Sequence, residues 1–169
     1  MTVKIFPVLY LSFFILGAQM PGANAQCTIN SKLYADGTMY YFIEPLLFYE
    51  TQEKKLEGGV FTDNENYFIM LYPSPFPQKS EGLKLKSDIR LTLANQKTYT
   101  LRYYDSQYAG DTVLKMVYLL DKKDIEDLGK HDVDQIVMNM GKEGDRTYVF
   151  RLHKAAIHEQ LTCLRNRAH

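Results

Sequence analysis

The residues of this chain that could do chemistry are two cysteines, four histidines, thirteen tyrosines and some short acidic clusters. Zinc sites draw ligands from regular short spacings, such as histidines one helical turn apart. His131, His153, His158 and His169 do not supply that spacing. Even on one helix, His153 and His158 would stand about 140° apart around the axis. Asp63-Asn64-Glu65-Asn66 and Asp132-Val133-Asp134 offer oxygen ligands but not the calcium-loop pattern with its distant glutamate. Such clusters more often build turns by bonding their own backbone. Glu44, Glu50 and the other acids form a glycosidase pair only if the fold brings two together. The sequence has no Gly-x-Ser-x-Gly elbow, Ser-x-x-Lys or His-Glu-x-x-His. Gly58-Gly59 lacks the spacing and the following Lys-Ser/Thr of a phosphate loop. No catalytic residue, metal or cofactor is therefore expected.

Cys27 and Cys163 stand near the two ends of the chain and are expected to form one disulfide in an oxidising compartment. Closing so long a loop would stabilise the fold by about 4–5 kcal/mol at most, with about 2–4 kcal/mol typical. The competing fate for Cys27 is lipidation after signal removal, but Gln26 stands where a lipobox has a small residue. A catalytic thiol is disfavoured, because no cationic surroundings are legible near either cysteine.

The tyrosines are the remaining lead. Tyr40, Tyr41, Tyr67, Tyr99, Tyr103, Tyr104, Tyr108 and Tyr118 fall on or beside predicted strands. Alternation requires one of Tyr103 and Tyr104 to face outward. An outward tyrosine gives a recognition surface a rigid amphipathic ring at low entropic cost, although tyrosine also simply suits a half-buried strand. Tyr103, Tyr104 and Tyr108 are the candidate binding residues, with the predicted loop Asp105 to Asp111 as the partner-facing segment.

The elements that must position them follow from periodicity. Met39 to Glu44 and Leu46 to Glu50 read as strands flanking Pro45, which belongs at an edge or bulge. A short run at Val60 to Thr62 lies between Gly58-Gly59 and the Asp63–Asn66 cluster, and Tyr67 to Tyr72 follows as a strand. Tyr72 to Pro77, with three prolines, reads as an extended connection inside one domain. Ile89 to Leu93 and Tyr99 to Tyr103 alternate apolar and polar residues around a short polar turn, the pattern of a hairpin. Val113 to Leu120 is a mostly apolar and therefore central strand. Lys122 to Leu128 is a short helix with Asp121 as N-cap, Asp124 at the third position and Gly129 after the end. Val133 to Met140 and Arg146 to Leu152 form a second hairpin. The unit from Val113 to Met140 is just long enough for a parallel crossover, which is allowed but not required. Ile157, Leu161 and Leu164 then share one face of a C-terminal helix, with Cys163 at its margin. The expected fold is α+β: a mainly antiparallel twisted sheet with one short helix and one C-terminal helix packed on it.

Residues 1–25 read as a cleaved signal peptide. Lys4 supplies the positive start, Ile5 to Leu16 the apolar run, and Ala23-Asn24-Ala25 the small-x-small cleavage site. As a helix that run would be about 18 Å long, short of the roughly 30 Å hydrocarbon core. Residues 26–169 are a normal size for a single domain. Without Lys4, 19 bases face 20 acids, and no basic cluster suits nucleic acid or anionic lipid. The signal resembles those of exported proteins in Gram-negative bacteria, implying the periplasm, cell surface or medium. The expected function is a non-catalytic binding or interaction module of the cell envelope, with an envelope protein or glycan as partner. The alternatives are a small secreted hydrolase with a dispersed acid/base site, or a structural subunit of an envelope assembly. A hydrolase needs a pocket of close titratable groups, a binder an outward aromatic patch, and a subunit an uncovered apolar face.

Overall fold

The computed structural model describes residues 27–76, 86–108 and 113–167. The expected signal peptide, Pro77, residues 109–111 of the expected loop and His169 lie outside the described residues.

Ten strands, two α-helices and a 3-10 turn at Gly141–Glu143 make up the described chain: β1 (Asn30–Leu33), β2 (Met39–Phe42), β3 (Leu46–Glu50), β4 (Lys55–Thr62), β5 (Tyr67–Ser74), β6 (Ile89–Leu93), β7 (Thr98–Tyr108), β8 (Leu114–Leu120), α1 (Lys122–Leu128), β9 (Val133–Asn139), β10 (Asp145–Val149) and α2 (Ala156–Arg167). The strand order is β1-β2-β4-β5-β8-β7-β6-β9-β10, with β3 also on β4. Every pairing between described strands is antiparallel. The mainly antiparallel sheet with a short and a C-terminal helix is therefore observed, and β8-α1-β9 makes no parallel crossover.

β7 carries the architecture. Its first residues pair with β6 and its later ones, from Arg102 on, with β8, so one long strand is shared by two sheets. The second sheet ends at β10, and the chain leaving it returns to β3. There the N–H groups of Arg151 and Leu152 both donate to the Phe48 carbonyl at 3.1 Å. Phe48 and Phe150 stack at 4.4 Å between ring centres. The curled sheet encloses Leu56, Ile69, Met116, Leu91, Ile136 and their neighbours in one core. α2 adds Ile157, Leu161 and Leu164, all fully buried. Each such aliphatic side chain contributes roughly 1.5–3 kcal/mol on burial, before the entropy of ordering it.

Three strands run further than their sequence reading, each for a local reason, while β10 stops at Val149, short of the expected Leu152. Gly58-Gly59 lies inside β4 rather than before a short run. A Cβ on Gly58 would sit 2.6 Å from the Met70 carbonyl oxygen and 2.9 Å from Phe48, so the glycine permits close approach of β4 to its neighbours. Pro73 belongs to β5, where it pairs only with Leu56 of β4; the β8 ladder stops at Leu71, and no donor is needed on that side. β7 runs on through Tyr108, so Asp105 to Tyr108 is strand instead of loop.

Pro45 falls where β2 and β3, both paired to β4, are interrupted. β2 pairs with Phe61 and Thr62, and β3 with residues from Lys55 to Gly58, which leaves Gly59 and Val60 facing a gap. Gln160 of α2, 4% exposed, fills it. Its Oε1 accepts the Val60 N–H at 2.8 Å and its Nε2 donates to the Glu44 carbonyl at 3.3 Å. Gln160→Leu would leave a buried backbone N–H unpaired and should cost about 1–3 kcal/mol, read as a lower denaturant midpoint with unchanged slope.

Cys27 and Cys163 are paired at disulfide distance, with Cα atoms 6.0 Å apart and a sequence separation of 136. The link ties the segment leading into β1 to α2. Replacing both cysteines by alanine should lower stability by about 2–4 kcal/mol in urea unfolding. The unreduced wild-type chain should resist alkylation.

Candidate functional site

A half-exposed antiparallel sheet normally turns polar residues to solvent on its outer face. Here the outer face of the β1-β2-β4-β5-β8-β7 sheet is aromatic. Phe68, Met70 and Tyr72 alternate with the core residues Ile69 and Leu71 on β5, and Lys115, Val117 and Leu119 alternate with Met116 and Tyr118 on β8. Phe61, Phe68, Met70 and Val117 form a second apolar cluster, separate from the core, with Tyr40, Phe42, Tyr72 and Leu119 packed against it.

Five rings run across this face in series. Tyr34 meets Tyr40 at 4.9 Å, Tyr40 meets Phe61 at 5.5 Å, Phe61 stacks on Phe68 at 4.8 Å, and Phe68 meets Tyr104 at 4.9 Å. Beside them lies a cleft of about 400 Å³. Phe61, Met70 and Val117 contribute its buried apolar surface, Tyr34, Tyr40, Tyr72 and Tyr104 its phenol rings, and Lys32, Lys115, Glu44 and Asp105 its charges. That volume lies in the range of small-molecule sites. Tyr34, 42% exposed, and Tyr104, 56% exposed, leave ring surface open to a ligand.

The structure separates the three tyrosines that the sequence singles out. The β7–β8 register shifts between Tyr103 and Asp105, so Tyr104 is the extra residue of a β-bulge. Tyr103 lies opposite Tyr118 and packs against the core, with its hydroxyl 2.8 Å from Ser106 Oγ. Tyr104 faces the cleft, and because of the bulge so does Asp105. The same shift turns Tyr108 inward, opposite Leu114 and against Phe76 at 5.8 Å. Simple alternation would have placed Tyr104 and Tyr108 on one face. Sequence reading also passed over Tyr34, Phe42, Phe61, Phe68 and Lys115 as site residues. The usable signal was the run Tyr67 to Tyr72, whose alternate residues are large and apolar on both faces.

The electrostatics follow from burial. Desolvation raises the Tyr40 and Tyr72 phenols above their ordinary pKa, reinforced at Tyr40 by Tyr104 and Asp63 and at Tyr72 by Tyr34 and Glu44. Both are neutral hydrogen-bonding groups at neutral pH. Lys115 is shifted down from 10.5, first by burial and then by Lys32, with Asp105 opposing. Its ammonium lies 5.2 Å from the centre of the Phe61 ring. Lys32 holds the same distance, 5.2 Å, over Tyr34. A free lysine titrating near 10.5 gains charge more easily than Lys115 in the folded chain. Its protonation therefore costs stability below its native pKa, and that cost fades as pH rises through the native value toward 10.5. A heteronuclear NMR titration of the lysine side chains should place the Lys115 midpoint below 10.5, and the midpoint should rise again in Lys32→Gln.

The other chemical candidates serve the fold. Asp63 Oδ1 accepts the backbone N–H groups of Glu65 at 3.0 Å and Asn66 at 2.6 Å, closing the β4–β5 turn. Asp132 lies 3.7 Å from His158 Nδ1, and Asp134 lies 3.7 Å from Lys154 Nζ. Among the described residues no group of three or more His, Cys, Asp or Glu side chains is placed to hold a metal ion. No helix of the described chain is long and apolar enough to cross a membrane.

Comparison of the chain with protein-family models, with curated proteins and with solved structures returns no match.

Proposed function

We propose that this protein is an exported, non-catalytic binding domain of the cell envelope, and that the aromatic cleft on the outer face of its sheet is the recognition surface. The observation that carries the reading is the series of rings from Tyr34 to Tyr104 beside an open cleft. Phe61 and Phe68 are covered within the series, whereas the Tyr34 and Tyr104 rings at its two ends stay open and offer contact area to a partner. Tyr104 supports the reading in a second way: a bulge spends one residue of β7 to aim that ring at the cleft. Export rests on the N-terminal signal pattern and accords with the paired cysteines. The partner is an envelope protein or glycan presenting a flat or apolar surface to the rings.

Tyr104→Ala separates this reading from its alternatives, because the exposed ring adds little to folding. The mature wild-type protein, immobilised and exposed to its native envelope extract and a glycan array, should retain a ligand that Tyr104→Ala binds about tenfold more weakly, a loss of about 1.4 kcal/mol. Retention of nothing by the wild type, together with turnover of glycan, peptide or ester substrates, would instead make the protein a hydrolase.

A further inference from the structure

The chemical class of the ligand can be taken further on the reading that the cleft binds. Two ammonium groups line it, Lys32 from β1 and Lys115 from β8. These strands are four places apart in the sheet, so the cleft gathers the two side chains across its width. Each amine sits over an aromatic ring, and among the described residues neither has a carboxylate within ion-pair distance. The two carboxylates of the cleft are placed differently. Glu44 accepts a hydrogen bond from Asn30 Nδ2 at 3.0 Å. Asp105 attracts Lys115 from β7, but it is exposed, and its pull is weaker than the burial and repulsion that act on that lysine. Lys115 is thus a half-buried cation, repelled by a second cation, beside the apolar surface of Phe61, Met70 and Val117. Burying a charge is costly unless it is paired, and an incoming anion would supply the pair.

We propose that the cleft takes an amphipathic anionic group of its partner: an apolar chain or ring system lying against Phe61, Met70 and Val117, flanked by Tyr104, with one acidic head group held between Lys32 and Lys115. A single head group suffices, because two donors can share the oxygens of one carboxylate or sulfonate. Tyr40 and Tyr72 keep neutral hydroxyls for additional contacts. The shared chemistry is an apolar body with one anionic end, and alkyl and aryl sources of it are distinguished by the probes.

The probes are dodecanoate and 8-anilinonaphthalene-1-sulfonate for the two anionic sources, dodecanol for the bare chain, and dodecyltrimethylammonium for the reversed charge. All are used below their micellar concentrations with the full mature chain, and binding is read by calorimetry or probe fluorescence. At least one anionic probe is expected to bind at one site per chain and more tightly than dodecanol. Lys115→Gln and Lys32→Gln should each weaken that anion about tenfold while leaving dodecanol unchanged. Lys32 is exposed, so its variant tests the idea even if Lys115→Gln folds poorly. Equal or tighter binding of dodecyltrimethylammonium, or anion binding indifferent to both lysines, would overturn the anionic assignment and leave the cleft a binding site of another kind. Binding of none of the probes would also overturn it, while ligand retention lost in Tyr104→Ala would still uphold the broader reading.

Discussion

The amide of Gln160 completes the sheet where the chain cannot. Pro45 has no N–H, and β2 and β3 part around it, so β4 meets a gap at Gly59 and Val60. One buried side chain bonds both lips of that gap, accepting from Val60 and donating to Glu44. This fixes α2 against the sheet by direction as well as by apolar area, because only one depth and rotation of the helix reaches both partners. Gly59 is part of the same fit, since a Cβ there would stand 3.0 Å from Gln160 Oε1. From this contact the helix carries its apolar face into the core and its cysteine toward Cys27. The break also lets β1 and β2 follow a different path from β3. That divergence brings Lys32 and Tyr34 alongside the outer face.

Two kinds of aromatic contact divide the molecule. Inside, Phe48 with Phe150 and Tyr49 with Tyr148 hold the returning chain to β3. Outside, the rings from Tyr34 to Tyr104 pack as closely, with Phe61 and Phe68 covered and Tyr34 and Tyr104 exposed at the two ends. Both sets use edge or offset geometries favoured by the ring quadrupole. The outer set has no structural layer above it among the described residues, and for that reason it is read as a site.

Elements with strong local patterns were legible in the sequence. The Ile89–Leu93 and Tyr99–Tyr103 hairpin, the helix Lys122–Leu128 and the apolar face of α2 all follow from period and capping. The Asp124 carboxylate accepts the Asp121 N–H at 3.3 Å, as the capping pattern anticipates. What could not be read depended on partners distant in sequence. Gly58 looks like punctuation until Met70 and Phe48 are known to be its neighbours. Pro73 looks like a linker until the β8 ladder is seen to stop short of it. The parity of β7 beyond Tyr103 hinges on one bulge, which no alternation pattern records. The short β1 strand, mostly exposed and polar, carries almost no hydrophobic signal at all.

The wall formed by β1 and β2 is lightly attached. β2 shares only Tyr41–Thr62 and Phe42–Phe61 with β4, and among the described strands β1 pairs with β2 alone. A further hold comes from the Arg167 guanidinium, 3.3 Å above the Tyr41 ring. The sulfur bridge from Cys27 to α2 is thus a guy-rope on one side of the cleft, fastened outside the place where a ligand would lie. Cutting it would loosen that side and, by reopening a loop that spans most of the chain, weaken the whole fold with it.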